Sequence, residues 1–264
     1  MIVAAPASPA QPSRVFRRFS VGVALCLLGI ARSAAGQPPE PPPAWDVTLG
    51  AAFVGTGGNT DTSTAGADFT LNRRWPVWQV EAAALTIRTS DQDERTAERY
   101  LAAFRGRRSL TSRIGLSMGE RLERDRFAGI DFRSILDGGL TYVLVRRPRW
   151  TLDGLTSAAW NHESPIVGDD IDHPIGLFQA VNKFVLGSGA DTTQRFNYYP
   201  DFKEPSAYRS EAEITAQAAL NSRLALRFGY LWRYSNTPVA GFVKTDNTTT
   251  ASIVLRWRAA APAP

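Results

Sequence analysis

The chain has 264 residues, of which 44% are hydrophobic, a formal net charge of +5 and a single cysteine. Four of the positive charges lie in the first 36 residues, at Arg14, Arg17, Arg18 and Arg32, which leaves +1 for residues 37–264. The basic balance is therefore no argument for a nucleic-acid partner. Cys26 lies in the same N-terminal segment, so the remainder of the chain cannot use disulfides for stability.

Residues 1–36 have the three parts of a secretory signal peptide. A basic stretch covers residues 14–18, an apolar run covers residues 21–30, and small residues occupy positions 33–36. The apolar run has only about half of the ~20 residues that a membrane-spanning helix needs. We therefore expect a cleaved signal peptide and export through the inner membrane, and not a helical anchor.

A proline-rich segment, residues 37–44, predicts a periplasmic spacer that stays outside any packed core. From Trp45 onward, apolar and polar residues alternate in runs of about 10–15 residues. Strands of soluble domains centre on ~5–6 residues, whereas a tilted strand that crosses a bilayer needs ~9–11. The alternation predicts twelve strands, near residues 45–55, 62–74, 77–89, 96–109, 112–124, 130–146, 149–163, 174–187, 191–200, 207–220, 222–235 and 246–257.

The two faces of these predicted strands differ in polarity. In the sixth strand, Phe132, Leu136 and Leu140 share one face, while Arg133 and Asp137 lie on the other. Aromatic residues stand near the predicted turns, at Trp75, Trp78, Tyr142 and Trp150. An apolar face edged by aromatic residues is typical of a sheet covered by lipid. A secreted soluble β-sandwich or lipocalin-like barrel is the alternative, and in such a protein the apolar face would surround a core.

The predicted connections alternate in length along the chain. Those after the even-numbered strands are short, such as RWPVW, LTS and LNSR, and those after the odd-numbered strands are longer and polar, such as SDQDERTAE and ERDRFAGI. Tight turns at one rim and longer loops at the other are the pattern of outer-membrane barrels. The glycine-rich stretch GTGGNTD, residues 55–61, lacks the Gly-Lys-Ser/Thr ending of a phosphate-binding loop, so we interpret it as a turn.

Three further stretches carry a family resemblance: GGNTDTSTAGADF, ERDRFAGIDFRSILDGGLTYVL and YSNTPVAGFVKTDNTTTASIVLRW. In this order they resemble the bacterial family called domain of unknown function 481, often labelled salt-induced outer-membrane protein. The similarity covers nearly all of residues 45–257 and implies an outer-membrane β-barrel without established catalytic residues. One departure concerns the end of the barrel. Trp257 matches the terminal aromatic residue that the assembly machinery reads, but residues 258–264 follow it, and we expect these to form a disordered tail.

Charged residues on the polar faces are the main candidates for function. Twelve of them project into the lumen in the predicted register: Arg105, Arg107, Arg113, Arg121, Arg133, Asp137, Asp153, Arg209, Glu211, Glu213, Arg227 and Arg233. Opposite charges on neighbouring strands can pair, so we interpret the set as a salt-bridge network that stiffens the barrel. A lining that selects solutes is the second interpretation, and the two can hold together. Twelve strands lie between eight-stranded barrels filled by side chains and the open porins, so pairing across the lumen would leave at most a narrow path.

Two histidines, His162 and His173, offer little for chemistry. His162 and Ser164 share a strand face, with a spacing similar to that in outer-membrane phospholipase A, so a lipid-acting hydrolase is an alternative function. The sequence shows neither a third group to orient His162 nor an oxyanion hole, and Pro165 suggests that Ser164 already belongs to the loop. Acidic residues near His173 form at most a loose cluster, so we expect no metal site.

The sequence thus predicts an all-β protein, a transmembrane antiparallel up-and-down β-barrel of about twelve strands over residues 45–257. We expect a monomer in the outer membrane, in contact with membrane lipid and lipopolysaccharide and with the barrel-assembly machinery during biogenesis. We expect no cofactor, no nucleic acid and no enzymatic activity. The expected role is a narrow or plugged channel or a structural envelope protein.

Overall fold

The structure of the protein, a computed structural model, describes residues 44–56, 62–91 and 94–259. The predicted signal peptide, nearly all of the predicted spacer, residues 57–61 of the GTGGNTD turn and residues 260–264 of the tail lie outside the described residues. Ala44, which we assigned to the spacer, is buried, and its carbonyl accepts a hydrogen bond of 2.9 Å from the Arg74 backbone N–H. Within the described ranges, no helix is long and apolar enough to cross a bilayer.

The described residues form twelve antiparallel strands and one 3₁₀ turn (Arg126–Ala128). The strands are β1 (Trp45–Thr56), β2 (Thr62–Arg74), β3 (Trp78–Asp91), β4 (Glu94–Ser109), β5 (Ile114–Asp125), β6 (Ile130–Arg147), β7 (Trp150–Pro165), β8 (Ile171–Val185), β9 (Ala190–Tyr199), β10 (Arg209–Ala219), β11 (Leu224–Ser235) and β12 (Thr245–Ala259). The predicted fold class is confirmed, and each predicted strand end lies within three residues of the observed one.

The sheet closes on itself. Each strand pairs with its neighbours in chain order, and β1 pairs with β12, with Trp45 opposite Ala259 and Ala51 opposite Ile253. Closure leaves no free sheet edge, which is a requirement for a β-structure that spans a membrane. The strands have 10 residues in β9 and up to 18 in β6, long enough to cross a bilayer at a tilt.

The polarity of the two faces of the sheet is the reverse of that in a soluble barrel. Large apolar side chains such as Met118, Leu136 and Phe228 point outward and are exposed. Charged side chains such as Glu123 and Asp137 point inward and are buried. A soluble sandwich or lipocalin would place its apolar side chains on the inside, so this alternative is wrong. The distribution is that of a transmembrane barrel, whose outer face is covered by lipid.

The two rims of the barrel differ in their connections. One rim, which we call the inner rim, carries the start of β1, the end of β12 and five tight turns. These turns cover residues 75–77, 110–113, 148–149, 186–189 and 220–223. The opposite, outer rim carries the connection of residues 126–129 and longer loops at residues 166–170, 200–208 and 236–244. The predicted loops SDQDERTAE and ERDRFAGI are shorter than expected, because β3 to β6 continue through their polar residues, which pair with neighbouring strands.

Two further strand ends depart from prediction. β7 continues to Pro165, so Ser164 lies within a strand and not in the loop. β12 continues to Ala259, two residues beyond the predicted end of the barrel, because its last residues still pair with the start of β1. The assignment of residues 258 and 259 to a disordered tail is therefore wrong.

Aromatic residues mark both rims on the outer face. At the inner rim, the Arg73 guanidinium lies 4.2 Å from the ring centroid of Trp45 and 5.0 Å from that of Trp75. At the outer rim, three tyrosine rings follow one another with centroid separations of 6.0 and 5.9 Å: Tyr198, Tyr208 and Tyr234. Such belts occur where lipid headgroups meet water, because aromatic rings combine an apolar body with a polar group.

Candidate functional site in the barrel lumen

Most of the predicted lumen residues do lie on the inner face of the barrel. Ten of them form ion pairs there: Arg105, Arg107, Arg121, Arg133, Asp137, Arg209, Glu211, Glu213, Arg227 and Arg233. Asp153 lies near the inner rim, with 48% of its side chain exposed, 3.7 Å from Arg146. Arg113 belongs to the β4–β5 turn and is exposed, so it does not line the lumen. The prediction extended the alternation through residue 113, whereas β5 begins only at Ile114.

The outer half of the lumen holds a dense set of charges. We name nine side chains there the outer cluster: Arg99, Arg121, Arg133, Arg209, Arg233, Glu123, Asp125, Glu163 and Glu211. Glu123 is central, with only 2% of its side chain exposed. Its oxygens lie 2.7 Å from Arg99 and 3.3 Å from Arg121. Arg133 and Arg233 are each 3.7 Å away. One carboxylate therefore holds four guanidinium groups that would otherwise repel one another.

Two arginines of the outer cluster, Arg121 and Arg233, form ion pairs across the lumen. Arg121 on β5 donates from both Nη atoms to the two Glu211 oxygens on β10, at 2.8 Å each. Arg233 on β11 donates from Nη1 to Oδ2 of Asp125 on β5, at 2.7 Å. In the ring of twelve strands, β5 and β10 are five places apart, and β5 and β11 are six places apart on opposite walls. Contacts of this length between opposite walls close the centre of the lumen at this level.

Further polar contacts fasten the outer cluster to the wall. Oε2 of Glu163 on β7 lies 2.7 Å from Arg133 Nε and 2.8 Å from Arg209 Nη1. Arg209 also donates from Nη2 to Asn161 Oδ1 at 3.0 Å. Tyr199 accepts a hydrogen bond of 3.0 Å from Arg121 through its hydroxyl. Charge-assisted hydrogen bonds of this kind are stronger than neutral ones, and together they limit the movement of the arginines.

An apolar patch fills part of the lumen beside the charges. Ile135, Leu155, Ile175 and Leu177 point inward from β6, β7 and β8 and pack together with Tyr199. Between 2% and 4% of each aliphatic residue is exposed. In an open, water-filled barrel, inward aliphatic side chains would be wetted. Their burial therefore indicates a packed lumen at this level.

In the inner half of the lumen, the ion pairs follow the wall. Arg105 on β4 makes a bidentate pair with Asp137 on β6, at 2.8 and 2.6 Å. It crosses β5 above Gly119, where an added Cβ would lie 2.7 Å from the Arg105 guanidinium carbon. Arg227 on β11 reaches Asp68 on β2 at 2.9 Å. Among the described residues, no ion pair of the inner half joins strands more than three places apart.

A loop covers the outer mouth of the barrel. Residues 236–244 connect β11 to β12, on the wall opposite β5 and β6. Nevertheless, a Cβ added at Gly129, between β5 and β6, would lie 2.7 Å from Val239 Cβ and 2.8 Å from the Phe242 ring. The loop therefore reaches across the mouth. Gly129 has a φ of 80°, so a side chain there would be strained as well as crowded.

The prediction missed several members of the lumen network. Arg99, Glu123 and Glu163 lie on the same alternating faces as the predicted Arg105, Arg121 and Asp153, so the period of two could have found them. The pairs that cross the barrel have no such signal. Arg233 and Asp125 are 108 positions apart in the chain, and a local pattern cannot reveal which distant side chains meet.

The histidines have separate partners at the outer rim. His162 Nδ1 lies 2.9 Å from Asp172 Oδ1, a carboxylate that could orient the ring. No hydrogen bond joins His162 to Ser164 in the described part of the chain. His173 Nδ1 lies 2.7 Å from Asp201 Oδ2 in the β9–β10 loop. Over the described ranges, no group of three or more His, Cys, Asp or Glu residues is placed to hold a metal ion.

Asp201 has a perturbed pKa. Burial acts to raise the pKa of this carboxyl, but the backbone N–H of Glu204, the His173 ring and the backbone N–H of Lys203 outweigh burial and lower it. The two backbone hydrogen bonds, at 2.8 Å from Lys203 and 2.9 Å from Glu204, close the start of the loop. The role of Asp201 is thus local, in shaping the β9–β10 loop.

The sequence pattern of the family described as protein of unknown function, DUF481, matches residues 47–257. An uncharacterised protein of Escherichia coli K12, YdiY, is 24% identical over 212 residues, which cover 78% of this chain and 80% of that protein. The family prediction is thereby confirmed.

Two solved structures, of a porin and of an outer-membrane channel, are also similar. The NanC porin has 12% sequence identity and a TM-score of 0.47, with 81% of this chain and 98% of the porin covered. An outer-membrane channel from Pseudomonas putida F1 has 11% identity and a TM-score of 0.48, with 86% and 100% covered.

Proposed function

This chain belongs to the DUF481 family, whose function is unknown, and we propose that it is an outer-membrane barrel whose lumen is plugged by its own side chains. In the resting state it conducts small ions poorly or not at all. Its role is that of a structural envelope protein or of a channel closed at rest. The observation that carries this proposal is the pair of contacts across the lumen, Arg121 to Glu211 and Arg233 to Asp125.

Buried ion pairs favour closure of the lumen in the outer half. Ion pairs that are buried and hydrogen-bonded do not separate readily. If the two partners moved apart, each would remain as an uncompensated charge in a site of low dielectric constant. Glu123 shares four arginines, so opening one pair leaves the others in place. The apolar patch around Ile175 blocks the adjoining wall.

The outer face supports an outer-membrane location. Exposed apolar side chains cover the middle of the strands, and arginine–tryptophan contacts mark the inner rim. We propose that the protein is a monomer that contacts lipid and lipopolysaccharide. The barrel-assembly machinery reads Trp257, which lies near the end of β12. After a carbonate wash, the protein should remain in the membrane pellet. Recovery of the protein in osmotic-shock fluid would contradict this location.

A planar-bilayer recording tests the plugged lumen. Refolded protein should show small or no conductance under conditions in which a general porin gives large, stable openings. Gel migration before and after boiling verifies that the barrel is folded in the same preparation. Porin-like openings of the unmodified protein would overturn the proposal.

A lipid-acting hydrolase is the second candidate, since Asp172 supplies the orienting group that the sequence did not reveal. Nucleophilic catalysis also needs contact between the histidine and the serine, which the described residues do not provide. We therefore favour a non-enzymatic function.

A further inference from the structure

An apolar groove crosses the outer face of the barrel from β1 to β6. Its volume is about 690 Å³, within the range of about 300–1,000 Å³ that sites for small ligands have. Small alanine side chains line its middle, and larger apolar side chains stand at its ends: Leu49, Phe69, Leu122 and Phe132. Each of these larger side chains is between 37% and 43% exposed. The groove therefore opens toward the surroundings of the barrel and not toward the lumen.

The groove runs obliquely because it follows the pairing of the strands. Directly paired residues form one continuous row on the outer face: Leu49, Phe69, Ala84, Ala102 and Leu122. Leu49 lies in the inner half of β1, whereas Leu122 lies near the outer end of β5. The row takes four steps of ~4.8 Å between strands, about 19 Å in all, and approaches the outer rim. This length is comparable with half of the ~30 Å hydrocarbon core, the share of one lipid leaflet.

The outer end of the groove is polar. Tyr100 on β4 pairs directly with Arg124 on β5, and both line the groove together with Asp131. Arg124 Nη2 lies 2.8 Å from Asp131 Oδ1, and about half of each side chain is exposed, so this pair contributes little and can exchange partners. The exposed Arg88 donates from Nε to the Tyr100 hydroxyl at 2.8 Å. Two guanidinium groups thus stand beside Tyr100, where an anionic headgroup can accept hydrogen bonds from them.

An apolar groove with one polar end fits an amphiphile. The outer face of the barrel is covered by lipid, and the polar end of the groove lies toward the outer rim, so the headgroup of such a ligand belongs to the outer leaflet. We propose that the groove binds the lipid A part of lipopolysaccharide, a phosphorylated sugar that carries acyl chains. One acyl chain lies along Ala84 and Ala102, and a phosphate group accepts hydrogen bonds from Arg88 and Arg124. This inference rests on the proposed outer-membrane location, which makes lipopolysaccharide the lipid of the outer leaflet.

The test uses the folded, full-length mature barrel in detergent, with purified lipid A as the probe. Native mass spectrometry counts the lipid molecules that each barrel retains as lipid A is titrated. The unmodified protein should retain one lipid A molecule. Ala84→Phe should weaken retention about tenfold, because the ring fills the middle of the groove and excludes about two methylene groups of the chain.

Ala216→Phe is the matched control. Ala216 is an exposed alanine on the outer face of β10, and it pairs directly with Phe228 as Ala84 pairs with Phe69. This variant should retain lipid A as the unmodified protein does. Equal weakening in both variants, or no retention by the unmodified protein, would overturn the site. Heat-dependent gel migration verifies that each variant is folded.

A second comparison tests the headgroup. Arg88→Gln combined with Arg124→Gln should weaken the retention of lipid A and leave the retention of dephosphorylated lipid A unchanged. Phosphatidylglycerol should be retained more weakly than lipid A, and equal or tighter retention would overturn the assignment to lipopolysaccharide. A dimer of the unmodified protein that Ala84→Phe abolishes would show that a second copy of the chain occupies the groove instead.

The result is independent of conductance and of membrane fractionation. Retention of lipid A by a barrel that conducts like a porin would contradict only the plugged lumen. A sealed barrel that pellets with outer membranes but retains no lipid A would contradict only the groove site.

Discussion

The outer and inner halves of the lumen are built from the same residue types, yet their ion pairs differ in span. In the outer half, Arg233 reaches Asp125 across six strand positions, and Glu123 gathers four arginines in a site that is almost completely buried. In the inner half, Arg107 pairs with Glu81 on the adjacent strand at 3.7 Å, and both side chains are about 30% exposed. The number of charges in a lumen therefore does not tell whether it is closed. Closure depends on which walls the pairs connect.

The difference has a physical cause in the placement of long side chains. Five arginines from β4, β5, β6, β10 and β11 extend toward the same level of the outer half. Each guanidinium is repelled by the others, and carboxylates from three strands interleave with them. In the inner half, arginines find partners close to their own strand and stay near the wall. In the proposed function, the outer half is the plug and the inner half is a charged vestibule.

Removing the central carboxylate should have the largest effect on stability. Glu123→Ala leaves four arginines without their shared partner, and loss of one member of a buried ionic group costs about 3–5 kcal/mol. The temperature at which the folded barrel converts to the unfolded gel form should fall strongly. Asp153→Ala, at the inner rim, removes a half-exposed pair and should cost about 1 kcal/mol or less. Equal losses of stability in the two variants would show that the two halves of the lumen do not differ in packing.

The assignment of inside and outside can be tested with one pair of neighbours. Leu140→Arg places a cation on the lipid face of β6, which costs about 2–4 kcal/mol at the bilayer midplane. Thr141→Arg places the same side chain in the lumen and should be tolerated much better. Membrane fractionation and gel migration measure insertion of both variants. Similar insertion defects would mean that the faces are wrongly assigned.

A smaller effect concerns pH at the outer rim. The pKa of Asp201 is lowered in the folded loop, so its contribution to stability is present above the pKa of an unfolded aspartate, ~3.9, and is lost as the pH falls below it. The amide resonances of Lys203 and Glu204 should therefore shift with a midpoint below ~3.9. Asp201→Asn should abolish this transition without altering the outer cluster. A midpoint at or above the ordinary aspartate value would contradict the assignment.

The smallest expected effect is that of replacing His162 on phospholipid hydrolysis. Its contact with Asp172 lies at the outer rim, away from the lumen, and no bond to Ser164 is present among the described residues. Phospholipid hydrolysis should be undetectable for the unmodified protein, and His162→Ala should not change the assay. Hydrolysis that is calcium-dependent and lost in this variant would support the hydrolase instead.

Strand positions were predictable from the sequence because a membrane barrel alternates polarity along every strand. The run from Phe132 to Leu140 shows this clearly, and β6 contains it in full. The same alternation, with a period of two residues, also indicated which side chains face the lumen. The error at Arg113 arose where a turn interrupts the alternation. The error at Ser164 arose because Pro165 was taken as a sign that the strand had already ended, whereas β7 includes both residues.

The plug itself could not be predicted, since its contacts join strands that are distant in the chain. Arg121 and Glu211 are 90 positions apart, and their meeting depends on barrel closure and strand stagger. The contact of Gly129 with Val239 and Phe242 is equally non-local. Alternation indicates which side chains face the lumen, but only the closed sheet determines which of them meet.

The most direct test of the account compares conductance after removing one pair from each half. Arg121→Ala with Glu211→Ala removes a pair that crosses the outer half and keeps the net charge. Arg227→Ala with Asp68→Ala does the same for a pair along the inner wall. In planar bilayers, the first double variant should conduct clearly more than the unmodified protein, and the second should remain closed. Opening by the inner variant alone, or equal opening by both, would contradict the assignment of closure to the outer half.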